Sequence, residues 1–255
     1  MPAVSVLVAA RAVGRWLPDC LQSIARQVLP EGWRVEIHVG IDACGDTLAF
    51  AKGLRIPNLT VRYFPEHVGP FIIFNSLAYA TSSDVLVRFD ADDVMLDGYL
   101  GEQLLVLGDP KSPGIVQTWS ILVDEQLAPT SAELFDGSRT KPDGKRAMAT
   151  DGQFMMSRPV METLGGFRLW WCHGDSEFLL RALANGYTRL ILPRHLYLRR
   201  IHPGSLTQSK NTGYHSELRL EYARFFLEAK ARYLKGEKPE FVPPQVAKSV
   251  PLDAA

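Results

Sequence analysis

Apolar and polar positions alternate in blocks along the first ninety residues. Short apolar runs rich in β-branched residues, typical of buried parallel strands, are separated by stretches with apolar residues at helical spacing. The runs predict four strands, at residues 4–10, 34–41, 59–64 and 84–89. The stretches between them predict three helices, at residues 15–28, 47–54 and 70–81. This order predicts a parallel sheet with helices on its faces, which binds ligands beyond the carboxyl ends of its strands.

The alternation is less regular after residue 105. Apolar runs predict further strands at residues 114–123 and 152–157, and one or two more within 188–200. Residues 128–147 are rich in Pro, Gly, Ser, Asp and Lys, which predicts a long loop that could act as a lid. Helical spacing predicts helices at residues 177–185 and 214–235, followed by an extended, proline-rich tail.

Composition narrows the classes of protein. The 255 residues include 28 Lys and Arg and 28 Asp and Glu, so net charge gives no general attraction to nucleic acid or anionic membranes. Three scattered cysteines form neither a disulfide framework nor a Cys-x-x-Cys pair, which favours reduced thiols and a cytoplasmic protein. The apolar N-terminus lacks a basic region and is interpreted as a strand rather than a signal peptide. No segment approaches the ~20 apolar residues that span a bilayer.

An acidic cluster, Asp90, Asp92 and Asp93, directly follows the fourth predicted strand. Crowded carboxylates repel one another unless a cation or a proton relieves them. Mg²⁺ or Mn²⁺ prefers such oxygen ligands and usually also binds substrate phosphates, so the cluster suggests a nucleoside diphosphate ligand. The alternative is an acidic helix start in which Asp92 or Asp93 is the N-cap.

Three further polar positions carry candidate chemistry, each with a structural alternative. Asp175 opens the predicted helix after residue 174, either as a general base or as a helix cap. His202 follows the last predicted strand in a Pro-Gly loop, either as a metal ligand or as a structural histidine. Asp42 ends the second strand, where it either contacts a nucleotide or forms a turn.

Five sequence motifs, in order, resemble those of the family-2 glycosyltransferases, which have the GT-A fold. They are VSVLVAAR, IDACGDT, HVGPFIIFNSLAYATSSDVLVRFDADD, GGF with GDSEFLLRALANGY, and IHPGSLT. The resemblance covers roughly residues 3 to 210. It implies a single α/β domain of GT-A type, with a Rossmann-like, mostly parallel sheet flanked by helices, a C-terminal helix and an extended tail. The implied boundaries are 1–212 for the domain, 1–105 and 106–212 for its nucleotide-sugar and acceptor halves, 213–238 for the helix and 239–255 for the tail.

The resemblance also implies a reaction and its residues. A metal-dependent transfer of a sugar from a UDP-sugar to a hydroxyl acceptor would proceed by single displacement with inversion. Asp175 would be the base, and Asp92 and His202 would bind Mn²⁺ or Mg²⁺. The implied nucleotide-sugar site comprises Ala9, Arg11, Asp42, Asn75, Asp90, Ala91 and Asp92. Trp119, Trp170 and Trp171 either stack on the acceptor or pack in the core.

The sequence departs from the family pattern at three positions. Gly174 stands where the family usually has Glu before the base, and Ile41 replaces the first Asp of a pair. Phe74 replaces an Arg, which removes a positive charge near the nucleotide. Arg11 and Arg88 are the candidates to supply that charge.

Two other functions remain open at this stage. A nucleotidyltransferase also uses an α/β sheet and carboxylates, but usually has a Gly-rich basic loop, whereas ARAVGRW has one Gly. A binding module of GT-A type without turnover is the non-enzymatic alternative. The amphipathic residues 214–235 are expected to pack on the domain, pair in a homodimer or lie on a membrane surface as a peripheral contact.

Overall fold

The computed structural model describes residues 1–131 and 140–252, without the side chains of residues 147 and 148. Within these ranges the chain forms one mixed α/β domain around a sheet of ten strands. Part of the predicted 128–147 loop and the last three residues of the tail lie outside the described residues.

The first half of the chain confirms the predicted alternation of strands and helices. The strands β1 (Ala3–Ala10), β2 (Arg34–Asp42), β3 (Leu59–Phe64) and β4 (Val85–Asp90) are parallel, in the order β3-β2-β1-β4. The helices between them are α1 (Leu17–Ala25), α2 (Gly45–Lys52) and α3 (Pro70–Tyr79). Proline in the first turn of α1 and α3 fixes where these helices begin, because it needs no intrahelical N–H bond there.

The second half extends the same sheet with mixed strand directions. Its elements are β5 (Val94–Met95), α4 (Tyr99–Leu107), β6 (Gly114–Val123), β7 (Lys145–Ala149), β8 (Phe154–Ser157), α5 (Arg158–Leu164), α6 (Gly174–Ala184), β9 (Thr188–Arg200), α7 (Glu217–Leu234) and β10 (Val250–Pro251). β8 pairs antiparallel with both β4 and β6, and β9 runs parallel to β6. β7 begins inside the predicted 128–147 loop and extends past its end, and residues 188–200 form one strand rather than two.

Both faces of the sheet are covered by apolar side chains. Val4, Val6 and Val8 of β1 point into one core, and Leu7 points into the other. Successive side chains of a strand point to opposite faces of the sheet, and both faces are buried here. Every position of β1 is therefore apolar or small, which explains the continuous apolar sequence. The carboxyl ends of β1, β2 and β4 are therefore held by a core on each side.

The C-terminal segment is extended, as predicted, but it lies against the domain rather than apart from it. β10 pairs antiparallel with β3, which puts it at the edge of the sheet. Val242 is 7% exposed, and its N–H donates to the Leu164 carbonyl. The Ala247 N–H donates to Ser76 Oγ at 2.9 Å. The buried side chain of Val242 and these backbone bonds therefore attach the segment to the domain.

Helix α7 packs on the domain through its aromatic residues. Trp170 contacts the rings of Tyr222 and Phe225, at centroid distances of 5.4 and 6.3 Å. Leu220 and Leu227 on another side of α7 are 59% and 60% exposed. A homodimer through this helix stays a prediction. In the described part of the chain, no helix combines the length and the apolar character needed to cross a membrane.

Candidate active site

A cleft of about 950 Å³ opens beyond the carboxyl ends of β1, β2 and β4, where the fold was expected to bind ligands. The structure brings six of the seven predicted nucleotide-sugar residues to its wall: Ala9, Arg11, Asp42, Asp90, Ala91 and Asp92. The predicted base Asp175 and the predicted metal ligand His202 line the same cleft.

Asn75 does not line this cleft, so the structure does not support a contact with the nucleotide sugar. Its side chain is fully buried, donating to the Phe167 carbonyl and accepting from the Phe167 N–H, at 2.9 and 2.8 Å. A Cβ at Gly166 would lie 2.7 Å from Asn75 Oδ1, and φ there is +118°. Asn75 therefore joins α3 to the 165–167 turn. The buried N–H and C=O groups of Phe167 need hydrogen-bond partners, and the Asn75 amide supplies both.

Asp42 organises the loop that follows β3. Its carboxylate accepts the N–H groups of Val68 and Gly69 at 2.9 and 3.0 Å and lies 2.7 Å from His67 Nδ1. Arg11 Nη1 donates to the Asp42 carbonyl at 2.6 Å. With three neighbours already bound, the carboxylate has little remaining capacity to accept a hydrogen bond from a nucleobase.

The three carboxylates of the acidic cluster have different environments. Asp93 is 2% exposed, and its oxygens accept from the Arg200 N–H and from Gln153 Nε2, at 2.9 and 2.6 Å. Burial raises the pKa of Asp93 well above its usual range, and the neighbouring charges of Asp92 and Asp90 add to this effect. Asp93 is therefore committed to holding β4, β8 and β9 together and is not available to a ligand.

Arg88 connects Asp90 to the predicted base. Its Nη2 lies 3.1 Å from Asp90 Oδ1 and 3.8 Å from Asp175 Oδ2, and its side chain is 6% exposed. Burial lowers the pKa of Arg88, but Asp90 and Asp175 outweigh burial, so the pKa is raised and the group stays cationic. Burial raises the pKa of Asp90, an effect that Arg88 opposes and Asp92 reinforces. Gly152 lies against this trio, since a Cβ there would be 3.4–3.8 Å from all three side chains.

Asp92 and His202 form the candidate cation site. Asp92 Oδ2 lies 2.8 Å from His202 Nε2, and the imidazole is held by the Trp16 ring at a centroid distance of 4.0 Å. Adjacent ligands of an octahedral cation at about 2.1 Å are about 3.0 Å apart, so the two atoms fit one coordination edge. Among the described residues no group of three or more His, Cys, Asp or Glu side chains could hold a metal. The pair therefore suits a cation whose other ligands come from a substrate and water.

Asp175 is placed by the first turn of α6. Its Oδ1 accepts the Ser176 N–H at 2.8 Å, which leaves Oδ2 directed toward Arg88. Gly174 precedes it because a Cβ at that position would lie 2.7 Å from the Phe71 ring. Glu177 is 1% exposed and bonded to Arg181 Nε at 2.7 Å, so its carboxylate is structural.

The three predicted acceptor tryptophans lie in different places. Trp119 packs beside the His195 ring on β6 and β9, and Trp170 packs under α7, so neither lines the cleft. Trp171 does line it, but at the end formed by Asp42: its ring is 5.1 Å from that of His67. A Cβ at Gly69 would meet the Trp171 ring at 2.9 Å. Two of the three are therefore packing residues, and the third faces the predicted nucleotide side.

Gln153 and Arg199 also line the cleft, and no motif or periodicity in the sequence indicates either of them. Gln153 Nε2 donates to Asp90 at 3.0 Å as well as to Asp93, and its Oε1 accepts the Asp90 N–H at 3.1 Å. Its position depends on the antiparallel pairing of β8 with β4, which local periodicity does not encode. Arg199 reaches the cleft because β9 ends beside the acidic cluster.

Family comparison agrees with the geometry of the site. The model of the family described as "Glycosyl transferase family 2" matches residues 5–165 of the chain. The chain therefore belongs to glycosyl transferase family 2, and it is a glycosyltransferase. The sequence has no match among the curated proteins.

Solved structures with the same fold include two glycosyltransferases with nucleotide sugars. S. aureus TarS 1-349 in complex with UDP-GlcNAc is 16% identical, with a TM-score of 0.63 over 91% of this chain and 69% of that one. The mannosyltransferase PcManGT from Pyrobaculum calidifontis, in complex with GDP-Man and Mn²⁺, is 18% identical, with a TM-score of 0.61 over 94% and 66%. At these identities the likeness establishes the GT-A fold.

Proposed function

We propose that this glycosyltransferase transfers a sugar from a UDP-sugar to a hydroxyl acceptor, with a divalent cation and with inversion by single displacement. The observation that carries the proposal is the position of Asp175, across Arg88 from the Asp90 carboxylate in the same cleft. The similar structures in complex with UDP-GlcNAc and with GDP-Man and Mn²⁺ support the donor class and the cation.

The donor side of the proposed site extends from Arg11 and Asp42 to Asp90. Arg11 braces the end of β2 through the Asp42 carbonyl, so the nucleotide meets a rigid edge of the sheet. Arg88 replaces the positive charge that Phe74 lacks, since its guanidinium lies 4.8 Å from the centre of the Phe74 ring. Asp90, held by Arg88 and Gln153, faces the ribose side of the donor in this proposal.

Asp92 and His202 would hold Mn²⁺ or Mg²⁺ together with the donor diphosphate. The bound cation would stabilise the charge that develops on the leaving diphosphate. The His202 ring is held by Trp16 with its Nε2 facing Asp92, which is the orientation that a second ligand of the same cation needs. Asp93 contributes by orienting the strand ends through Gln153 and Arg200 rather than by binding the cation.

Asp175 acts as the base in this proposal. The acceptor oxygen attacks the anomeric carbon while the bond from that carbon to the diphosphate oxygen breaks. The hydroxyl proton passes to Asp175 Oδ2, because Oδ1 is occupied by the Ser176 N–H. The partition of the chain into a catalytic domain at 1–212, with donor and acceptor halves at 1–105 and 106–212, a helix at 213–238 and a tail at 239–255, is part of the same proposal.

The test is hydrolysis of a panel of UDP- and GDP-sugars by the purified protein, with Mn²⁺ and then with a chelator. Release of nucleoside diphosphate from a UDP-sugar that stops on chelation is the expected result. Binding of the donor without turnover, in the presence of sugar acceptors, would instead identify a binding module. Pyrophosphate release from UTP and a sugar phosphate would identify a nucleotidyltransferase.

A further inference from the structure

Two arginines flank Tyr214 on the wall of the cleft formed by β9, the 201–216 loop and the start of α7. Arg199 Nη2 lies 3.5 Å from the Tyr214 hydroxyl. The Arg219 guanidinium carbon lies 5.5 Å from the centre of the Tyr214 ring. All three residues line the cleft. Arg199 and Arg219 are called the arginine pair below.

Among the described residues, no carboxylate forms an ion pair with either member of the arginine pair, although Arg199 lies within electrostatic range of Asp93. Arg219 donates to the main-chain carbonyls of Thr212 and Leu206. Arg199 donates to the Tyr214 hydroxyl. By contrast, Arg189 in the same cleft pairs with Asp151 at 3.0 Å. Two guanidinium groups on one wall of the cleft, neither in an ion pair with a described carboxylate, favour an anionic ligand there.

The arginine pair lies on the same side of the cleft as the proposed base. The Thr212 carbonyl accepts from Arg219 Nε and is 3.9 Å from Cys172 Sγ. Cys172 stands three residues before Asp175, in the turn that leads into α6. An anion held by Arg219 would therefore lie close to the turn that leads to Asp175, the proposed base.

We propose that the acceptor is anionic: it carries a phosphate ester or a carboxylate that the arginine pair binds while its hydroxyl faces Asp175. This proposal rests on the proposed function and adds the chemical class of the acceptor. The planar guanidinium donates two parallel hydrogen bonds to such an oxyanion, which neutral side chains cannot do. Binding should weaken as salt rises, because the cleft is open to solvent.

The first experiment needs no turnover. Calorimetric titration at low salt compares glycerol 3-phosphate with glycerol as probes. We expect the phosphate ester to bind detectably and glycerol not to bind. Arg219→Met should weaken binding of the phosphate ester by about ten- to hundredfold, the usual cost of losing a charged hydrogen bond. Arg224→Met is the matched control, because Arg224 is exposed on the same helix and does not line the cleft.

A second variant, Arg199→Gln, shows whether weaker binding by Arg219→Met comes from lost charge or from a disturbed loop. Arg219 also holds the 201–216 loop, so Met at this position could disturb the loop. Arg199→Gln removes the other charge without breaking a main-chain bond, and it should weaken the phosphate ester by a similar factor at an unchanged Tm. Equal binding of glycerol 3-phosphate by the wild type, Arg199→Gln and Arg219→Met would overturn the proposal.

Guanidinium groups could bind either an anionic acceptor or the diphosphate of the donor. A competition experiment distinguishes these two ligands. With the donor found in the hydrolysis panel, glycerol 3-phosphate should compete poorly with that donor and should itself be glycosylated faster than glycerol. Competition with the donor alone, without glycosylation, would assign the arginine pair to the diphosphate and contradict the proposal. If no donor in the panel were hydrolysed, the proposed function would be refuted. The titration with glycerol 3-phosphate does not depend on that outcome, because it uses no donor.

Discussion

Replacing Asp175 by Asn tests the mechanism with little change to the fold. The Asn Oδ1 can still accept the Ser176 N–H, which Asp175 accepts at 2.8 Å. What is lost is the 3.8 Å ion pair with Arg88, in which the Asp175 side chain is 23% exposed. A partly exposed, long pair of this kind contributes at most about 1 kcal/mol, which corresponds to a Tm decrease of about 2–4 °C.

The effect of Asp175→Asn on the rate should be far larger than its effect on stability. Loss of a positioned base costs about 10²–10⁴ in rate. That factor corresponds to about 2.7–5.4 kcal/mol in the activation free energy, at 1.36 kcal/mol for each tenfold. Donor binding should hardly change, because Asp175 faces the acceptor. The assay is steady-state release of nucleoside diphosphate with saturating acceptor, with donor affinity measured separately by calorimetry.

Asp151→Asn is the matched control for this experiment. Asp151 lines the same cleft, but its carboxylate already pairs with Arg189 at 3.0 Å. Its kcat should stay within about threefold of the wild type, since no transferred proton is assigned to it. If Asp175→Asn also kept its kcat within that range, with the donor bound normally, the base would not be Asp175 and the single-displacement scheme would lose its proton acceptor.

Three other perturbations test separate parts of the structure. Asp92→Asn should abolish turnover and weaken Mn²⁺-dependent nucleotide binding at an unchanged Tm; near-normal activity would refute the cation site. Glu177→Ala breaks the buried pair with Arg181 and should cost about 3–5 kcal/mol, a Tm decrease of roughly 6–20 °C by calorimetry. Removing the residues after Lys238 loses the burial of Val242, which contributes about 1.5–3 kcal/mol to the free energy of unfolding. The melt should therefore stay cooperative with a Tm about 3–12 °C lower. An unchanged Tm would contradict the packing of the tail on the domain.

The first half of the fold could be predicted from the sequence because its signals are local. A parallel strand buried on both faces appears as a continuous apolar run, and the polar residue after it marks the edge where ligands bind. Asp42 and Asp90 were found in this way, and both line the cleft. Asn75 was implied only by the family resemblance, and its side chain is bonded to the turn at Phe167 instead of lining the cleft.

The second half was harder to predict because its positions depend on long-range pairing. Gln153 reaches the acidic cluster only through the antiparallel pairing of β8 with β4, some sixty residues away in sequence. The proline-rich tail has no periodicity, so nothing local indicates that Val242 is buried. Trp170 and Trp171 are adjacent in sequence but face different surroundings, one under α7 and one in the cleft.

Two departures from the family pattern have a shared physical basis on α3. The Phe71 ring occupies the space beside residue 174, so only glycine fits there, and the carboxylate expected before Asp175 has no room. The centre of the Phe74 ring lies 4.8 Å from the Arg88 guanidinium carbon. Helix α3 therefore has no positive charge at this position, and Arg88 on β4 provides one instead. Compared with the family pattern, the site thus has one carboxylate fewer on α6. Its positive side chain comes from a buried strand rather than from a helix. Because Arg88 pairs with Asp175 at 3.8 Å, the charge that would orient the proposed base is fixed by β4, a strand buried in the core.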